Sequence, residues 1–240
     1  MPTPEQLRAN ARAAADLFFL TKQPDDLVVP LLRLLPHTRA QLRQDIFVLA
    51  ELHLKRGGYF VEFGATNGID LSNTYLLETQ FGWNGVLAEP AQCWQMALAR
   101  NRACKIDTRC VWRESGVTLR FNETNIAELS TIDAFSASDT HAELRKAGRS
   151  YDVATVSLMD LLREHDAPRQ IDYLSIDTEG SEFEILQAFD FARYDVKIIT
   201  CEHNFSPLRD KLHALLTAKG YARKFEGLSQ VDDWYVKQNR

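Results

Sequence analysis

The chain has little excess charge of either sign: Lys+Arg 28 against Asp+Glu 33 over 240 residues leaves −5. That excludes a basic field able to hold nucleic acid or anionic lipid nonspecifically. Cysteine is sparse, and Cys93, Cys104, Cys110 and Cys201 show neither C-x-x-C pairing nor zinc-ligand spacing. They are expected to be reduced, buried thiols, which excludes a disulfide scaffold and points to a cytoplasmic protein. Long apolar runs are missing too. The longest, near Leu27 to Leu35, is interrupted by Pro30 and Arg33, so no membrane span is expected. The first residues carry scattered charges and lack the apolar centre of a secretory signal. Internal repeats and low-complexity tracts are absent. With 45% hydrophobic and 25% charged residues, what remains is ordinary globular composition. Oligomeric state is not legible.

Thr3-Pro4-Glu5-Gln6 combines an N-cap, a proline at the first helical position and a capping-box glutamine, and predicts a helix to Leu20. Pro24, Pro30 and Pro36 are expected to break up the next segment. Thr38-x-x-Gln41 predicts the opening of a third helix that Gly57-Gly58 stops. Residues 1–56 thus read as a helical cap and 57–240 as the main domain.

From Tyr59 the pattern changes. Short apolar strands at 59–63, 85–89, 108–112, 171–176 and 196–201 alternate with helical stretches at 72–81, 90–100, 157–165, 181–189 and 207–219. Strands separated by helix-length segments predict an α/β fold: βαβ crossovers, a mostly parallel sheet and helices on both faces. The last two strands, 221–225 and 234–237, have only a loop between them and can pair only as an antiparallel edge. Ser181 with Glu184 reads as a capping box. Residues 122–149 are the least patterned and read as a lid or recognition element.

In an open parallel sheet, ligands bind where the strands end. The first strand ends in Glu62-x-Gly64-Ala65-x-x-Gly68, the second in Glu89-Pro90, and the next two in Asp177-Thr178-Glu179-Gly180 and Glu202-His203-Asn204. All four ends carry a carboxylate and none a lysine or arginine. Gly64 and Gly68 allow close backbone approach, but the spacing is not G-x-G-x-x-G and no P-loop lysine follows. Glu89, 21 residues beyond Gly68, is placed to accept hydrogen bonds from both ribose hydroxyls of an adenosine. A nicotinamide dinucleotide brings a pyrophosphate, whereas S-adenosylmethionine brings a sulfonium and an ammonium. An acidic rim favours the latter.

The segments FVEFGATNG, LSNTYLLE, GVLAEP, IDYLSIDTEGSEFEIL and CEHN, with QDIFVLAEL ahead of them, resemble the FkbM family of S-adenosylmethionine-dependent methyltransferases. The likeness runs from about Leu42 to the SQVDDWYV segment. It implies a class I methyltransferase fold, a Rossmann-like three-layer sandwich whose seven-stranded sheet has its last strand antiparallel, here behind an N-terminal helical extension. It also implies O-methylation of a hydroxyl, on a small molecule or a sugar or glycan. Carried over, Glu62, Gly64, Ala65 and Gly68 line the methionine end of the cofactor, with Asn67 and Asn73 as further hydrogen-bonding candidates. Glu89, with Pro90, holds the ribose, and Val111, beside Trp112, flanks the adenine.

A neutral hydroxyl is a poor nucleophile, so a general base or a divalent cation is needed. Asp177 and Glu202 end adjacent strands. With Asn204 they form an oxygen-rich half-shell suited to Mg2+. His203 is the competing answer as general base. Two other classes stay open: a nicotinamide (NAD)-dependent oxidoreductase on a similar sheet, and a binding module that kept the fold without turnover.

Overall fold

In a computed structural model, which describes residues 2–137 and 141–238, the chain opens with three helices. The first, α1 (Pro4–Leu20), starts as expected. Thr3 Oγ1 accepts from the Gln6 N–H, and Gln6 Oε1 accepts from the Thr3 N–H. Helix α2 (Asp25–Leu34) runs straight through Pro30 instead of breaking there. An interior proline costs about 3 kcal/mol. Burying Leu27 and Leu31 offsets that, at about 1.5–3 kcal/mol each. Helix α3 (Gln44–Glu51) begins later than the Thr38 pattern suggested. Thr38 Oγ1 instead donates to Asp45 Oδ1 at 2.6 Å, and Arg43 takes a left-handed conformation before the helix.

The α/β part follows: β1 (Tyr59–Phe63), α4 (Tyr75–Phe81), β2 (Asn84–Ala88), α5 (Gln95–Asn101), β3 (Lys105–Asp107) and β4 (Cys110–Trp112). Next come β5 (Thr118–Glu123), β6 (Thr131–Ile132), α6 (Ala142–Arg145), β7 (Arg149–Ser157) and α7 (Leu158–Glu164). The chain continues through β8 (Gln170–Ile176), α8 (Glu182–Gln187), β9 (Asp195–Glu202), α9 (Arg209–Ala218), β10 (Tyr221–Lys224), α10 (Glu226–Ser229) and β11 (Asp232–Lys237). Seven strands form the main sheet in the order β3-β2-β1-β8-β9-β11-β10. The pairs β1–β2, β2–β3, β1–β8 and β8–β9 are parallel. Only β11 runs against its neighbours β9 and β10, so the expected antiparallel edge is the β10–β11 pair, with the reversed strand one in from the rim. This is the class I methyltransferase fold. No described helix is long and apolar enough to cross a membrane.

Side chains alternate across the sheet, as a period of two demands. Val61, Phe63, Leu174, Ile199 and Tyr235 pack on one face. Phe60, Tyr173, Ile198 and Trp234 pack on the other, together with Phe19, Leu31 and Phe47 of the first three helices. The N-terminal helices therefore share a core with the sheet.

Three expectations need correcting. The third strand of the main sheet is Lys105–Asp107, not 108–112; Cys110–Trp112 turns away and pairs with β7. Residues 122–149 are not loop alone: they carry β6 and α6 and join β5 to β7, antiparallel neighbours in a second sheet, β4-β7-β5-β6. Three residues of that stretch lie outside the described part. All four cysteines are free, but Cys93 is exposed and only Cys110 and Cys201 are buried.

Candidate functional site

The ends of β1, β2 and β8 and the inner edge of the second sheet border a cleft. Glu62, Glu89, Glu128, Asp177 and Glu179 line it, and among the described residues no lysine, arginine or histidine does. Gly64 has φ +74°, and a Cβ there would sit 2.0 Å from the Asp177 carbonyl oxygen. The β1 and β8 ends can come this close only around glycine.

Of the expected cofactor residues, Glu62, Gly64, Asn73, Glu89, Pro90 and Val111 border the cleft. Ala65 is buried in the core, and Trp112 packs against Phe135. Gly68 faces α5, where a Cβ would meet Leu98 and Arg102. Asn67 shapes its own turn: its Oδ1 accepts from the N–H groups of Ile69 and Asp70.

Glu89 Oε1 accepts from the Ala91 N–H at 2.8 Å and Oε2 from the Thr66 N–H at 2.9 Å. These bonds aim a carboxylate at the cleft and leave one lone pair on each oxygen. Burial outweighs them and pushes the Glu89 carboxyl up to about 7. Glu62 is more fully engaged. It accepts from the Asn73 N–H at 2.7 Å and the Ser72 hydroxyl at 3.1 Å, and it also takes the Thr74 hydroxyl. Arg102, brought in from the end of α5, lies 3.7 Å away and also binds Glu78. Asn73 donates to Ser175 Oγ at 2.9 Å, while its buried Oδ1 has no partner. An unsatisfied buried acceptor bordering a cleft is costly unless a ligand donor meets it.

On the acceptor side, the structure brings Asp177, Glu202 and Glu179 together, with one ligand atom from each within 4.8 Å of the others. Asn204 stands beside them: its Nδ2 donates to Glu179 Oε2 at 3.1 Å. Glu179 also pairs with the buried Arg145 at 2.7 Å. Asp177 is pushed up to about 6 by burial. Glu202, buried beside Asp177, is held far above the usual carboxylate range. Asp232 is the register partner of Glu202, accepts from Gln44 Nε2 at 2.7 Å and is pushed up to about 7 by burial.

His203 lies elsewhere. It is buried, its Nδ1 accepts from the Phe205 N–H at 2.9 Å, and its Nε2 lies 3.7 Å from Asp233. With Nδ1 accepting, the ring proton sits on Nε2, and desolvation lowers the pKa. Nor is Ser181 a capping box. It donates to Thr178 Oγ1, and Glu182 Oε1 gathers the Thr178 and Gly180 N–H groups.

Arg102 and Arg145 were not legible as site residues. The two arginines arrive from helix ends far along the chain, with no local signal. Asp232 carried one, since an antiparallel last strand must begin where its parallel neighbours end.

A family model described as the methyltransferase FkbM domain matches residues 62–223. Among solved structures, methyltransferase FkbM from Methylobacillus flagellatus KT is 13% identical with a TM-score of 0.46, covering 88% of this chain and 60% of its own. The precorrin-6y C5,15-methyltransferase of Geobacter metallireducens GS-15 is 11% identical at 0.44, covering 81% and 87%. The human methyltransferase 10 domain containing protein is 12% identical at 0.41, covering 82% and 81%. No curated protein matches the sequence.

Proposed function

The chain belongs to the FkbM methyltransferase family, and from that premise we propose an S-adenosylmethionine-dependent O-methyltransferase acting on a hydroxyl of a small molecule or sugar, with Asp177 as general base. The observation that carries the acid–base half is the Asp177–Glu202 pair at the ends of adjacent strands, with Asp177 bordering the cleft. The matched family gives the nicotinamide reading no support.

The cleft suits the cofactor chemically. With Glu62 and Glu179 matched by Arg102 and Arg145, the Glu89, Glu128 and Asp177 carboxyls remain to favour a positively charged guest, Gly64 leaves room for it, and Asn73 Oδ1 awaits a donor. When bound, S-adenosylmethionine supplies an electrophilic methyl group. Glu89 would hold the ribose hydroxyls, Asn73 would accept from the ammonium, and Val111 would border the adenine. Burial and the neighbouring Asp177 raise the Glu202 carboxyl well above the usual carboxylate range, so the adjacent pair disfavours two negative charges. Asp177 is raised to about 6, which brings it nearer the range of a base that takes a hydroxyl proton. His203 has no lone pair to offer the cleft in this tautomer.

The three converging carboxylates also bear on a divalent cation, but they fit one poorly. Arg145 already places a positive charge on Glu179, and burial raises both Asp177 and Glu202 toward their neutral forms. Turnover that survives a chelator is expected.

Calorimetry with S-adenosylhomocysteine tests the cofactor half. For the other half, an acceptor found by methyl-incorporation mass shift is turned over by variants. Asp177→Asn should lower kcat by about 10²–10⁴-fold, with His203→Gln near wild type. The reverse ranking refutes the assignment of the base.

A further inference from the structure

Leu71 stands on the rim of the cofactor cleft. It lines the cleft on one side and, on the other, an outer depression bordered by Ala40, Gln41 and Asp70. Two features of this leucine run against what folding favours. It occupies the third position of a turn closed by the Ser72 N–H on the Ile69 carbonyl at 3.3 Å, with φ +60°. Glycine or asparagine is favoured there, because the Cβ of any branched side chain crowds the backbone at positive φ. Leu71 also leaves 47% of its surface exposed, so packing within the chain offsets little of that cost.

The strained conformation is held from two sides. On the glycine-loop side, Thr66 Oγ1 donates to the Asp70 carbonyl at 3.1 Å, and Asn67 Oδ1 accepts from the N–H groups of Ile69 and Asp70. On the other side, Leu71 forms a parallel bridge with Ala40. Arg12 of α1 donates to the carbonyl of Gln41, the next residue, at 2.9 Å. An over-determined, strained residue bordering a cleft is the pattern of a ligand clamp.

The chain position indicates which part of the guest it meets. Ser72 and Asn73, the next two residues, both bond Glu62. Leu71 therefore belongs to the end of the cleft where Glu62, Gly64 and Asn73 suit the methionine arm of the cofactor. Polar groups there can serve the ammonium. The two methylenes between that head and the sulfur need an apolar neighbour, and Leu71 offers one.

We propose that Leu71 contacts the cofactor, packing its exposed side chain on the methylene chain of the methionine arm. The inference rests on the methyltransferase reading and adds the apolar contact that grips this arm.

The test uses the full chain, with S-adenosylhomocysteine and adenosine as probes. Leu71→Asn puts a polar residue of similar size, one that adopts positive φ readily, at the same place. S-adenosylhomocysteine affinity by calorimetry should fall about three- to tenfold, the worth of covering roughly half a leucine. Adenosine lacks the arm, so its affinity, measured by competition, should not change. The melting temperature of the apo protein should not fall, since asparagine relieves the backbone. Leu71→Met keeps an apolar side chain and should bind S-adenosylhomocysteine nearly as wild type does. Unchanged S-adenosylhomocysteine affinity in Leu71→Asn, an equal loss of adenosine affinity, a lowered melting temperature, or no rescue by methionine overturns the inference. If those failures come with wild type binding S-adenosylhomocysteine normally, only the Leu71 contact is lost. If wild type does not bind S-adenosylhomocysteine at all, the methyltransferase reading fails and takes this one with it.

Discussion

Consider S-adenosylhomocysteine binding as a function of pH, in wild type and in Glu89→Gln. In the folded chain the Glu89 carboxyl titrates at about 7, because burial disfavours its charge more than two backbone N–H groups favour it. Ribose hydroxyls donate best to the ionised form, so binding selects the carboxylate and releases a proton. A group with a pKa of 7 is about 9% ionised at pH 6 and about 91% at pH 8, so affinity should rise about tenfold over that interval and level off above it. In Glu89→Gln the slope should vanish. The affinity should drop by about 10–150-fold at pH 8, the worth of a charge-assisted hydrogen bond of roughly 1.5–3 kcal/mol. The glutamine amide must also turn an N–H toward either Thr66 or Ala91, so its melting curve is recorded alongside. Calorimetry in two buffers of different ionisation enthalpy reads both the affinity and the proton released. A flat wild-type profile, or a slope that persists in Glu89→Gln, refutes the assignment of Glu89 to the ribose.

Other consequences follow from the same geometry. Gly64→Ala forces a Cβ into the Asp177 carbonyl at a positive φ; the melting temperature and S-adenosylhomocysteine binding should both fall, and a variant that binds normally contradicts the close approach of β1 and β8. Arg145→Ala removes the buried guanidinium from beside Glu179 and should cost about 3–5 kcal/mol by urea denaturation, largely recovered when Glu179→Gln is added; no recovery would mean that Arg145 matters only through packing. For Glu89, Asp177 and Asp232 the folded pKa lies above the unfolded one. The native state therefore binds the extra protons, and unfolding free energy of the apo protein should decline from about pH 5 to pH 8. A stability that rises across that range would show these carboxyls ionised and compensated.

The strand ends could be read directly because a parallel sheet places its ligands there. Gly64, Glu89, Asp177 and Glu202 each stand one step past an apolar run, and a period of two locates the run without any knowledge of contacts. The second sheet also left a trace: Val117, Leu119 and Phe121, then Tyr151 and Val153, alternate as half-buried strands do. The polar residues between them masked it. Cys110–Trp112 could not be assigned to either sheet from its own apolar composition, which suits any buried strand.

Local chemistry determined that this chain makes a strand-and-helix alternation with acidic strand ends, because propensity, capping and periodicity act over a few residues. It could not decide which of those acids keeps a proton, which way the His203 ring faces, or that Arg102 and Arg145 cross from distant helix ends to neutralise Glu62 and Glu179. Those outcomes depend on desolvation and on distances of a few ångströms between groups far apart in the chain, and only the packed structure sets them.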